Sequence, residues 1–465
     1  MRKLLVFLLV GILCFLPVFS ACSAEETETY MTSGDYQYMV RVDGTAVITR
    51  YTGSAAVLEI PSSLGGVPVT AIGANAFEWR EKLMDVVIPE GVTSLGDHAF
   101  LYCKDLSFIT LPDSLKEIGR NPFAACEALT DINYSPRHPV LKMDNGVLYS
   151  IPDKRLVSYF SSLRRGEYTV PDGIEIIGGS AFYDCGNVTA LSLPDTIVSI
   201  GQRAFFRCKA LKSINLPESI SYVGAEAFCD CGSLVSLVFP NTITAIGDRA
   251  FKNCTSLKEL ILPRGATSIG DEAFFNCYSL QSLDLPAGIT AIGKSTFSQC
   301  RNLASITLPD GVTYIGGCAF YECEQLESIS IPSTVTYVGT SAFAGCQRLK
   351  AVELPNSCFY IGPQAFAKCT SLTEFSLPKG MNAINDGVFQ GCVGLTEITI
   401  GARVSSIGAY AFAVTGLIEI KIPKGVKSVG ERAFYYCREL VSVDVDEEST
   451  DVHESAFEQC GKLVR

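Results

Sequence analysis

A phenylalanine returns every 23 residues along most of this chain. It stands at Phe77, Phe100 and Phe123, then at Phe182, Phe205, Phe228, Phe251, Phe274, Phe297, Phe320, Phe343, Phe366, Phe389 and Phe412, and last at Phe434 and Phe457. One step is 22 residues (Phe412 to Phe434) and one is 59 (Phe123 to Phe182). So strict a period restricts the chain to a repeat solenoid, in which a unit buries its apolar side only by stacking on its neighbours. It overrides the several-domain expectation that 465 residues would otherwise raise.

The unit from Leu280 to Cys300 shows the parts. In Leu280-Gln281-Ser282-Leu283-Asp284-Leu285-Pro286 the last apolar residues alternate with Asp284, as in a strand with one buried face. Pro286 lacks an N–H and suits the strand's exit. A second extended piece, Ile289 to Ile292, leads to a turn at Gly293. The segment Lys294–Cys300 predicts about two helical turns, with Phe297 and Cys300 on one face. Coils joined by parallel strands at ~4.8 Å make a rod or arc on the order of 80 Å long for about seventeen coils.

The ends and one insertion depart from the period. Met1-Arg2-Lys3 and the apolar run Leu4–Leu16 read as a secretory signal over residues 1–21. Phe19-Ser20-Ala21-Cys22 resembles a lipobox, which makes Cys22 the lipid-bearing first residue of a membrane-anchored surface lipoprotein. Simple cleavage after Ala21 or Ala24, giving a secreted protein, is the alternative. Residues 22–35 then form a tether and residues 36–60 an N-terminal hairpin cap, alternating around Asp43-Gly44. The solenoid occupies 61–465, with a longer coil at about 134–170 carrying "NGVLYSIPDKRLVSYF" as a second hairpin.

Little in the chain points to catalysis. Nineteen cysteines in an exported chain would ordinarily suggest disulfides. Here fourteen lie three residues after a marker Phe, from Cys103 to Cys460, so they read as buried thiols at a packing position. Cys229-Asp230-Cys231 adds one neighbour to that ladder and is no metal motif. His98, His138 and His453 fall on different coils, and Gly178-Gly179 lies at the repeat's own turn rather than in a phosphate-binding loop. The reading is a non-enzyme without cofactor. Formal charge is −12, and loss of Arg2 and Lys3 with residues 1–21 makes it −14. That acidity argues against nucleic acid and against binding an anionic bilayer except through the N-terminal lipid.

Two outward ladders break an otherwise bland surface. Tyr314, Tyr337 and Tyr360 stand 23 apart, with Phe359 beside the last and Tyr222 at the same position four coils before Tyr314. Most other coils carry Ser or Ala there. Such rings offer a flat amphipathic surface to a partner, or else stabilise one another. Glu374, Glu397 and Glu419 occupy one outward position in three successive coils. Like charges set directly opposite repel, so they are a weak candidate for a calcium site, against a solvated acidic stripe.

The unit Leu-x-x-Ile-x-Leu-Pro-x-x-Val-x-x-Ile-Gly-x-x-Ala-Phe-x-x-Cys resembles the BspA-type leucine-rich repeat over about residues 36–465. The resemblance implies a bacterial surface protein, of a family whose better-known members bind host matrix proteins and mediate attachment. The expected function is a cell-surface adhesin or binding module for a protein or glycan of a host or neighbouring cell. A non-catalytic structural or scaffold component of the envelope is the alternative, since folds host many functions.

Overall fold

The computed structural model describes residues 30–463. The signal, Cys22 and most of the tether therefore lie outside the described residues. The coil's first strand is three residues long and exposed, buried, exposed, as in Ser236–Val238, Glu259–Ile261 and Ser282–Asp284. Strands of successive coils pair parallel at the 23-residue offset, for example Leu237 with Leu260. The following proline opens a turn, its carbonyl accepting the N–H three residues on, as Pro286 does from Ile289. The second strand is two residues, outward then inward, as in Ala291–Ile292 and Tyr314–Ile315.

The glycine after the second strand is required by coil spacing. A Cβ on Gly224 would stand 2.5 Å from the Gln202 nitrogen of the preceding coil, and one on Gly339 equally close to the Gly317 nitrogen. Only a residue without a side chain lets the two backbones approach so closely.

The expected helical turns do not form, and no helix occurs among the described residues. Around Phe251 the backbone alternates hand, with Arg249 and Asn253 at φ 55° and 61°. The N–H groups of Arg249, Phe251 and Asn253 donate to Asp271, Ala273 and Phe275 of the next coil. Those of Ala250, Lys252 and Cys254 donate to Gly247, Arg249 and Phe251 in their own coil. A helix would keep every such bond within one coil and leave this side of the stack without a hydrogen-bonded seam. The left-handed residues cost about 1–2 kcal/mol each. They turn alternate donors along the stack, where each buried N–H finds a carbonyl.

The marker phenylalanines stack in two runs, Phe77 to Phe123 and Phe182 to Phe457, as at Phe228 and Phe251 (centroids 5.1 Å, planes 9° apart). A tyrosine begins each run. Tyr51 stacks on Phe77 at 5.3 Å and Tyr159 on Phe182 at 5.0 Å. Each also donates its N–H to the alanine carbonyl of the next coil, as the phenylalanines do.

At the N-terminal edge Tyr30–Ser33, Tyr36–Val40 and Ala46–Tyr51 form antiparallel pairs, and the last pairs parallel with Val67–Ile72. The long coil contains Leu141–Asp144, Val147–Ser150 and Arg155–Tyr159 as an antiparallel meander that joins Ile176–Ile177 in parallel. It divides the core into two clusters, with Leu163 packed against both. Arg155 binds the Ile118 carbonyl (2.7 Å) and Asn121 the Ser180 carbonyl (2.6 Å), which ties the two halves together.

Candidate binding surface

The tyrosines come from three adjacent second strands, Tyr314–Ile315, Tyr337–Val338 and Tyr360–Ile361, in direct parallel register. In each, the Ile or Val points inward and forces the preceding residue outward. The rings stack at 4.9 Å and 4.8 Å, with planes 13° and 9° apart. Tyr314, at one end, is 41% exposed; the other two are half-buried. Burial, and then the two neighbouring hydroxyls, raise the pKa of Tyr337. Phe359 is 59% exposed and takes the place held by Thr313 and Thr336 in the coils before. The structure brings the three tyrosines into contact, with Phe359 exposed next to Tyr360 in the chain. Tyr222 is exposed and pairs with Ser199 of the preceding coil; it lies four coils before Tyr314 and stands apart from the group.

The glutamates do not form a site. Glu374 lies in a strand paired with Ala351–Glu353, Glu419 in one paired with Ser442–Asp444, and Glu397 in no strand. All three are exposed. Pairing lapses at the middle coil, so the repulsion that would call for a cation is not imposed. Among the described residues no group of three or more His, Cys, Asp or Glu side chains could hold a metal ion.

The cysteine ladder is a hydrogen-bonded one. None of the seventeen described cysteines forms a disulfide. All fourteen ladder thiols donate to the carbonyl of the ring residue one coil back, as Cys254 does to Phe228 and Cys300 to Phe274 (3.1 and 3.2 Å). At the long coil Tyr159 provides that carbonyl for Cys185. Burial pushes the Cys300 thiol up to about 12, so it stays protonated and is no nucleophile. Cys437 is the exception: interaction with the neighbouring Cys460, and then with Thr415, lowers its pKa against the opposing effect of burial.

Two of the histidines make contacts between coils, and His453 makes a local one. His138 reaches the Pro112 carbonyl (3.1 Å) and His453 the Ser455 hydroxyl (2.9 Å). His98 meets Ser180 at 2.9 Å, a contact 82 residues apart that the sequence does not announce. Ser180 is buried and also accepts from Asn121, so the pair clamps two coils. Burial lowers the pKa of His98.

Parallel 23-residue coils over a Leu, Ile, Phe and Cys interior define a leucine-rich repeat solenoid. A family profile described as "BspA type Leucine rich repeat region (6 copies)" matches residues 70–152, 157–236, 175–304, 221–350 and 339–464. The chain belongs to the BspA-type leucine-rich repeat family. A solved leucine-rich repeat protein from Bacteroides ovatus is similar at 25% identity and TM-score 0.54, covering 94% of this chain and 97% of that one. A leucine rich cell surface protein from Faecalibacterium prausnitzii shares 23% identity over 95% of each chain, with TM-score 0.39. A leucine-rich repeat protein from Eubacterium ventriosum shares 20% identity over 68% of this chain and 94% of that one, with TM-score 0.47. No curated protein matches in sequence.

Proposed function

We propose that this protein is a non-catalytic, exported surface protein whose solenoid binds a protein or glycan of a host or neighbouring cell. The observation that carries the reading is the group Tyr314, Tyr337, Tyr360 and Phe359. It is a partly exposed aromatic surface at a strand position where most other coils carry Ser or Ala. Aromatic rings with polar tips are favoured at protein interfaces. Anchoring through a lipid on Cys22 would display that surface outside the cell. The test is a screen of the mature protein against immobilised extracellular-matrix proteins and a glycan array. Saturable binding to one class supports the reading, and no binding to any member contradicts it.

A specific observation favours the scaffold alternative. The rings lie nearly parallel at 4.8–4.9 Å, so the middle one spends both faces on its neighbours. A purely structural ladder would look the same, and only its contribution to binding separates the two.

A further inference from the structure

A second aromatic group lies on the turn side of the first coils, around Trp79, the only tryptophan in the chain. Trp79 sits two residues after Phe77 in the left-handed region (φ 58°), where a bulky residue is uncommon. Its N–H joins the seam between coils through the Leu101 carbonyl (2.8 Å), and its side chain leaves it 52% exposed. One ring face packs on Tyr102 (4.2 Å, 15°), whose hydroxyl accepts a hydrogen bond from Arg207 (2.7 Å). The indole is thus held against a backed, immobile support.

The coil before leaves Trp79 uncovered. Tyr51 takes the marker position there, so the residue corresponding to Trp79 is Gly53, which has no side chain to continue the stack. A Cβ at Gly53 would collide with the Tyr51 hydroxyl and lie 2.6 Å from an Asp35 carboxylate oxygen, so the gap cannot be filled from that position. What remains is a cavity of ≈ 270 Å³ walled by Trp79, Gly53, Ser54 and Ala55, with Arg80 and Lys82 alongside. Arg80 stands where the ladder has Cys and is steadied by its Nε on the Glu78 carbonyl (3.3 Å). The one lining carboxylate, Glu81, lies 3.9 Å from the Lys104 ammonium. Arg80, Lys82 and Lys104 thus stand against Glu81 and the Asp35 carboxylate beside Gly53, which leaves a cationic excess here in a chain of charge −12.

We infer that this cavity binds one ring of an acidic sugar. A pyranose lays its C–H face on the indole, its carboxylate meets Arg80 and Lys82, and its hydroxyls reach Ser54. Guanidinium binds carboxylates through paired, directional N–H groups. The volume falls below the roughly 300–1,000 Å³ of sites for larger ligands, which limits the occupant to about one ring.

Because Trp79 is the only tryptophan, its fluorescence reports on this cavity alone. The intact mature protein is titrated with glucuronic, galacturonic and N-acetylneuraminic acids, with glucose as neutral control. At least one acid produces a saturable change in emission, with affinity on the order of 1 mM, and glucose a far weaker one. Ser54→Leu, an exposed substitution that closes the cavity mouth, abolishes the change without lowering the melting temperature. Arg80→Gln weakens the response by about tenfold or more. No saturable change with any of the three acids, an equal response to glucose, or an unaltered response in folded Ser54→Leu protein would overturn the assignment.

Discussion

The Cys254 thiol donates to the Phe228 carbonyl across 3.1 Å, joining one coil to the coil before it. The same carbonyl accepts the Cys231 N–H at 3.2 Å, so both of its acceptor sites are used inside the core. Cysteine suits this position because it combines apolar bulk with a weak donor. Replacing Cys254 by Ala removes the donor and leaves a small void, which costs about 1–2 kcal/mol. Stacked coils couple to nearest neighbours. Cys254→Ala with Cys300→Ala, two coils apart, should therefore be additive in urea unfolding, whereas Cys254→Ala with Cys277→Ala should not.

Thiol reactivity follows from burial. Thirteen of the fourteen ladder thiols are buried and Cys460 is half-buried. The interior thiols, Cys437 included, expose 0–2% of their surface. Alkylation of the native protein near neutral pH should label Cys460 first within the ladder and the thirteen interior thiols only after denaturation. Mass spectrometry of labelled peptides checks this; uniform labelling of the native ladder, or a ladder already paired as disulfides, would contradict it.

Acid should weaken the coils around Glu272. Arg249, and then Lys252, bind its two oxygens at 2.9 and 2.6 Å and hold the carboxyl down at about 2 against an ordinary 4.5. Folding thus favours the charged form, and the stabilisation is present above pH 4.5 and disappears as pH falls through about 2. Glu272→Gln should be less stable than the wild type at neutral pH and lose less melting temperature between these values. Parallel pH profiles for the two proteins would show the mutation has no such role.

The tyrosine stack makes a positional prediction. Tyr337 contacts two rings, while Tyr314 and Tyr360 each contact one of the other two. At about 0.2–1 kcal/mol per cross-strand pair, Tyr337→Ser should cost about twice what either end substitution costs. Equal costs at all three positions, measured by thermal unfolding, would mean that ring-on-ring contact is not what stabilises them.

The period alone made much of this legible. It sets the register of both strands, because every coil must place Leu237 and its counterparts against the same neighbours. The helix expected after Gly293 failed because an i, i+3 pair such as Phe297 and Cys300 fits a succession of turns as well as a helix. The residues that decide, such as Arg249 and Asn253, adopt positive φ without being glycine. Tyr159 was readable, since it lies 23 residues before Phe182, but the substitution of Tyr for Phe and the hairpin around it hid the match. The tyrosine stack was visible as a spacing, whereas the lapse of pairing at Glu397 was not. Nor was the gap beside Trp79, which depends on Tyr51 standing 26 residues before Phe77 rather than 23.

The claim that the tyrosine face is a contact surface is tested most directly by changing Tyr314, Tyr337 and Tyr360 together to Ser. Binding to the ligand found in the screen, or to cells, is measured beside the melting temperature. The account predicts that binding is lost while the protein stays folded, with a stability decrease no larger than the roughly 0.2–1 kcal/mol per ring pair sums to. Full binding in a folded but less stable variant would contradict it and make the ladder a structural element of the solenoid.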